Sequence, residues 1–310
     1  MGPWPDPGGP GYHPARLSSD PLRWLPLTLS AMLMWGIAQG LVKKYIGEVA
    51  PARFCMYYGF ANAAVSLAFW ASQDAPPPFA AESRGFATFG LLAYTLDGIA
   101  WIFYYQSIVH GPISIVGTLS AAYPALTVIF ARVFLGERLG APQLAGVIAV
   151  IAGCLALAYT PPDAQAKRTQ RRWMAYAGAA LLLWGVNGTL VRHAYQLAGA
   201  HEANMALFLA IGGLATLGVY GVLFGRHGGA ARGEWLRAAG PMVTMAGGSL
   251  LVALAYQKGP ASIVTPLSGA YPVVTLAFAW AVLKERPSRL QWLGIVAVLA
   301  GMVSTTAAAS

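Results

Sequence analysis

Nearly the whole chain is laid out as blocks of about twenty apolar residues divided by short polar or basic punctuation. A bilayer core about 30 Å thick asks for roughly 20 such residues per helical crossing. In lipid every backbone N–H and C=O must find its partner inside the protein, a demand that spanning helices meet. Ten blocks fit, over residues 24–42, 54–71, 86–108, 113–135, 142–160, 173–191, 203–224, 239–257, 260–283 and 289–307. Composition agrees, since 57% of the 310 residues are hydrophobic and only 10% are charged, values foreign to soluble domains. The expected fold class is an all-α integral membrane protein with ten transmembrane helices.

Several classes of function fall away on the same grounds. The longest connections, "SQDAPPPFAAESR", "TPPDAQAKRTQRR" and "GRHGGAARGEWLRAAG", are too short to hold a soluble catalytic domain. Residues 1–23 are rich in Pro and Gly and read as a disordered lead. They do not read as a cleavable signal, because the first apolar run starts beyond residue 23 and passes straight into a full crossing. Cys55 and Cys154 both fall inside apolar spans, which excludes a disulfide framework and any metal-ligand spacing. No Gly-rich loop ending in Lys-Ser or Lys-Thr is present, so neither ATP nor another cofactor is expected. The net charge of +9 comes from bases at the ends of crossings, where lipid headgroups explain them and nucleic acid need not be invoked.

The chain also repeats itself. "GPISIVGTLSAAYPALT" at residues 111–127 returns as "GPASIVTPLSGAYPVVT" at 259–275, identical at eleven of seventeen positions. "WGIAQGLVKK" at 35–44 is answered by "WGVNGTLVRH" at 184–193, and Glu137-Arg138, Gln143, Gly146 and Gly153 by Glu285-Arg286, Gln291, Gly294 and Gly301. The expected organisation is a first five-helix repeat over 24–160, a basic linker over 161–172 and a second repeat over 173–307. Because five is odd, the second copy enters the membrane from the opposite side, giving two inverted repeats about an axis in the membrane plane. Such a pair can exchange conformations so that a central cavity opens to one face and then the other, the geometry alternating access needs.

These motifs together resemble the drug/metabolite transporter superfamily, EamA type. They are the paired "WG", "GPISIV" and "GPASIV", "AAYP" and "GAYP", and "LGERLGAPQLAGVIAVIAG" with "LKERPSRLQWLGIVAVLAG". The resemblance runs from about residue 24 to 307. It implies ten crossings in two inverted halves, a small-molecule solute, no enzymatic activity, and export as the commoner direction. It is almost silent about which solute.

Candidate pathway residues follow from the polar groups inside the blocks. Ser120, Tyr123 and Thr127 share one helical face, as do Ser268, Tyr271 and Thr275. Their hydroxyls suit either interhelical contacts or a cavity wall. Pro124 and Pro272 each remove a backbone donor in mid-span, which predicts helix kinks. Asp97 is the acid nearest the middle of a span, too costly to face lipid. Trp101, Tyr104 and Tyr105 follow it by four, seven and eight residues on the same face. An acid among aromatics suits a cationic or zwitterionic solute or a coupling proton, and equally a structural acceptor bonded to another helix or to Arg132. The repeat carries Met245 in its place. Gln39 and Asn187 set an amide near the indoles of Trp35 and Trp184, which serve as belt anchors or cavity walls according to depth. Lys43, Lys44 and Arg192 end those crossings, where snorkelling to the interface explains them. Gly146 with Gly153 and Gly294 with Gly301 mark packing helices at the seam of the two halves, and Glu137 and Glu285 sit in the preceding turns, placed to cap helix ends.

Thirteen Lys and Arg lie on the face away from residue 24 and six on the near one. The positive-inside rule then puts the near face outside, whereas the resembled family keeps its termini inside, and orientation stays open. The leading expectation is a secondary active exporter of a small polar or amphipathic metabolite or drug, with proton coupling as one option, in the bacterial inner membrane. A membrane scaffold or receptor, or an intramembrane enzyme, is the alternative.

Overall fold

A computed structural model describes residues 22–46, 49–110, 116, 119–159, 172–225, 232–284 and 286–307. The lead through residue 21, nearly all of the linker, the opening of the fourth crossing and Glu285 lie outside the described residues.

Helices α1 (Trp24–Ile46), α2 (Pro51–Ala71) and α3 (Arg84–His110) form the first three crossings. The fourth contributes α4 (Tyr123–Phe134) and the fifth α5 (Ala141–Ala158). In the second half α6 (Arg172–Ala194) is followed by a crossing in three parts. These are α7 (Glu202–Gly213), a π-helical turn over Leu214–Gly218 and α8 (Val219–Phe224). Then come α9 (Glu234–Lys258), the paired half-helices α10 (Ala261–Ser268) and α11 (Tyr271–Val282), and α12 (Arg289–Ala307). Nine segments among the described residues are long and apolar enough to cross a membrane, and α4 supplies the apolar helix of the remaining crossing.

Helix starts obey local chemistry. Pro51 opens α2 at a position whose N–H would lack a partner anyway. The repeated glutamines do the same work twice: Gln143 Oε1 accepts from Gly140 N at 3.0 Å, and Gln291 Oε1 from Ser288 N at 2.8 Å. Each satisfies one of the donors that a helix start leaves open.

The two halves are not side-by-side bundles. The most extensive pairings all join one half to the other: α5 with α12, α3 with α6, α1 with α9 and α2 with α7. The α5–α12 seam is set by glycine. A Cβ on Gly153 would stand 2.7 Å from the Gly294 carbonyl oxygen, and one on Gly301 would stand 2.5 Å from that of Gly146. The glycines therefore face one another in antiparallel order, and the two backbones touch.

The outer surface is apolar. Ile129, Val133, Leu182, Leu293 and Val303 are each more than half exposed, an arrangement that water disfavours and lipid tails accept. Several polar side chains, among them Asn62, Ser66 and Asn204, are buried inside.

Candidate functional site: a one-sided cavity between the halves

The ninth crossing is broken at its middle. Carbonyl acceptance ends with Gly269 N to Thr265 O at 2.8 Å and Ala270 N to Leu267 O at 3.2 Å, and a new helix starts at Tyr271. Pro272 lies in the first turn of α11 and Pro124 in the first turn of α4. The expected kinks are therefore helix starts. A proline is tolerated there because first-turn N–H groups have no intrahelical acceptor, whereas in mid-helix it would collide with the turn before it. Pro266, inside α10, adds a second missing donor just before the break. This was the sequence signal for a discontinuity.

Around these starts lies a cavity of about 370 Å³. Asp97, Trp101, Tyr104 and Tyr105 of α3 form one wall, and Trp184 and Asn187 of α6 continue it. Trp35 and Gln39 of α1, Ser120, Tyr123, Tyr271 and Pro272 close the sides. Both Trp-Gly indoles are thus cavity walls. Their roles mirror one another. The Trp184 indole lies in hydrogen-bonding range of Asp97, and the Trp35 indole donates to the Met245 carbonyl at 3.1 Å and to Ser249 Oγ at 3.3 Å. Arg132 is exposed on α4.

The rings form a box. Trp101 and Trp184 centroids are 5.1 Å apart at 78°, Tyr104 and Trp184 5.3 Å at 51°, and Tyr123 and Trp184 5.9 Å at 55°. Tyr58 joins Trp101 at 5.2 Å and donates or accepts with Ser249 at 2.8 Å. Tyr58, Tyr94 and Tyr256, all on the lining, escaped the sequence reading because none belongs to a polar stripe shared by the two repeats. Ser249, Val252 and Ala253 of α9 stand where the first repeat has Trp101, Tyr104 and Tyr105, so the two long helices of an inverted pair present different chemistry to the chamber.

Three expected pathway residues lie elsewhere. Thr127 is buried and donates to the Gly185 carbonyl at 3.0 Å, and Thr275 donates to the Gly36 carbonyl at 3.2 Å. Both lock a half-helix to the Trp-Gly helix of the other repeat. Gly185 and Gly36 leave room for that approach, against Leu126 and Val274 respectively. Ser268 is buried and satisfies carbonyls of its own helix, at Val264 and Thr265. Thr127 and Thr275 share a helix with Tyr123 and Tyr271 and turn their hydroxyls to the facing Trp-Gly helix, whereas Ser268 lies across the break from Tyr271. Asn187 spends one amide hydrogen on the Ala93 carbonyl at 2.9 Å.

The chamber extends past Val42, Val49, Pro51 and Ile108, at the ends of α1 and α3 and the start of α2, toward the face away from residue 24. The other end is tied shut. Glu137 accepts from the N–H groups of Ala261 and Ser262, both at 2.9 Å, and from the Ser262 hydroxyl. Arg192 stands 4.0 Å from Glu137 and donates to the carbonyls of Tyr256 and Gln257 at 2.9 and 3.0 Å. Arg192 is thus turned into the protein and does not snorkel, because the last carbonyls of α9 attract its charge. Lys43 and Lys44 are exposed. Among the described residues no three His, Cys, Asp or Glu side chains gather as metal ligands.

The model of the EamA-like transporter family matches residues 22–159 and again 171–307. The chain belongs to the EamA-like transporter family. Its membership makes it a multi-pass membrane protein of a transporter kind, with a small-molecule solute and a lipid surround. An uncharacterized protein of Methanocaldococcus jannaschii is 45% identical over 56 residues, 18% of this chain and 41% of that relative's length. A solved crystal structure superposes with a TM-score of 0.73 at 19% identity, over 92% of this chain and 96% of the other. That likeness concerns the fold alone. Within this EamA-like frame the two family matches are the two repeats that interlock around the cavity.

Proposed function

We propose that the protein is a secondary active transporter that exports a small polar or amphipathic metabolite or drug across the bacterial inner membrane by alternating access. The observation that carries this reading is the cavity itself, lined by both inverted repeats, reaching one face and tied shut at the other by Glu137 and Arg192. Inverted repeats supply a second conformation by exchanging their arrangements, which opens the tied face and seals the other. With no nucleotide-binding motif in the chain, the drive is a proton gradient or exchange of one solute for another. Asp97 is the acid on the described lining and the group assigned to a coupling proton.

The test is flux. Cells or proteoliposomes carrying the protein release candidate solutes, found by metabolite profiling, faster than protein-free controls, and an imposed proton gradient alters the rate. Asp97→Asn is expected to remove the response to the gradient. Equal release with and without the protein, across the profiled metabolites, overturns the transport reading.

A further inference from the structure

The described residues that line the chamber include one carboxylate, Asp97, and no Lys, Arg or His. Resting on the transport reading above, we infer that the solute is an organic monocation, an aromatic amine or quaternary ammonium compound, held by the aromatic box with Asp97 as its counter-ion.

Two features of the chamber converge on positive charge. Trp101, Tyr104, Tyr123 and Trp184 meet at 51–86° with centroids 5.1–5.9 Å apart, so their faces turn in several directions, while Tyr105 stacks on Trp101 at 27°. Ring faces carry negative potential, and a cation enclosed by several of them is held well when water is excluded. The carboxylate then pairs a charge that would otherwise be buried alone. A volume of about 370 Å³ admits a molecule of one ring and a short ammonium arm.

Anionic groups find no Lys, Arg or His on the described lining. Arg192 is committed to the carbonyls at the end of α9 and to Glu137. The starts of α4 and α11 face the chamber and would attract an anion if their donors were open. Pro124 and Pro272 supply no N–H, however, and Ala125 and Val273 donate to the carbonyls of Ala122 and Ala270 at 3.0 and 3.1 Å. A bound carboxylate would therefore lose its water without gaining a cation. This separates amines from amino-acid zwitterions.

A set of ligands sharing one phenyl ring tests the charge preference: phenethylamine and benzyltrimethylammonium (cations), phenylalanine (zwitterion), 3-phenylpropionate (anion) and 2-phenylethanol (neutral). Binding to the purified protein in nanodiscs is read by tryptophan fluorescence and calorimetry, and flux is measured separately in vesicles. The two cations are expected to bind at least tenfold more tightly than the other three. Asp97→Asn is expected to erase that advantage while 2-phenylethanol binding is retained, which also reports that the variant is folded. Equal or tighter binding of phenylalanine, 3-phenylpropionate or 2-phenylethanol by the wild-type protein overturns the assignment, as does an undiminished cation preference in Asp97→Asn. Cation-selective binding without flux would instead sink the transport reading and leave the cation site standing.

Discussion

Trp184 and Trp35 are counterparts in the two repeats, and each turns its indole to the long helix of the opposite half. On α3 the indole lies within range of the Asp97 side chain, and on α9 it donates to the Met245 carbonyl and to Ser249. The scaffold contact is kept while its chemistry differs, which is how a symmetric fold acquires an asymmetric chamber. The two hydroxyl stripes divide by a similar logic. Tyr123 and Tyr271 face the cavity, whereas Thr127 and Thr275 hold half-helices to the Trp-Gly helices. In a flux assay Tyr123→Ala is expected to lower transport by tenfold or more by opening the ring box. Thr127→Val should leave the rate within a factor of about two and cost roughly 0.6 kcal/mol in a denaturation assay, the typical worth of one interhelical hydrogen bond in a membrane. Helical periodicity placed these residues on shared faces, but it did not show which part of a face meets a neighbouring helix and which meets the cavity; only Ser268 is parted from its stripe by the break before Tyr271.

At the scale of elements, the tied face depends on a helix start. α10 begins with open donors at Ala261 and Ser262, and the Glu137 carboxylate from the turn before α5 takes both. Charge-assisted bonds of this kind contribute about 1.5–3 kcal/mol each. Glu137→Gln keeps the shape but loses the charge and one acceptor oxygen, so amide exchange at residues 261 and 262 is expected to speed up by on the order of tenfold. Unchanged exchange there would remove Glu137 from the closure. The placing of Glu137 in a turn before a helix was visible in the sequence, but its acceptance from a helix start 124 positions away was not. The α5–α12 seam makes a separate prediction. Any side chain at Gly153 meets the Gly294 carbonyl at 2.7 Å, so Gly153→Val should lower the melting temperature in detergent and reduce the yield of folded protein. A stable, fully folded variant would show that the two helices do not need to touch.

At the scale of the whole molecule, inversion is the governing property. Arg84 and Arg232 are counterparts 148 positions apart, Arg84 as the first residue of α3 and Arg232 two residues before α9. In cells bearing single cysteines at these positions, a membrane-impermeant maleimide applied from outside should label one and spare the other. Labelling of both from the same side would end the inverted-repeat account. The interlacing of the halves also limits how the proposed cycle works. Since α1 packs on α9 and α3 on α6, opening the tied face must shift helices along seams between repeats; two independent bundles do not exist to rock apart.

The ten crossings, the odd-numbered repeat and hence its inversion were already determined by the order of residues, because the length of an apolar run and the parity of a count are properties of the chain alone. Tertiary structure decided the rest. It showed which phenols and indoles reach the chamber, that Thr127, Thr275 and Ser268 turn from it, and that Arg192 points inward to the end of α9. The physical reason is that these outcomes depend on how helices distant in sequence rotate and settle against one another. In lipid that setting comes from glycine contacts, carbonyl acceptors and buried charge, not from the hydrophobic pattern that puts each helix in the membrane.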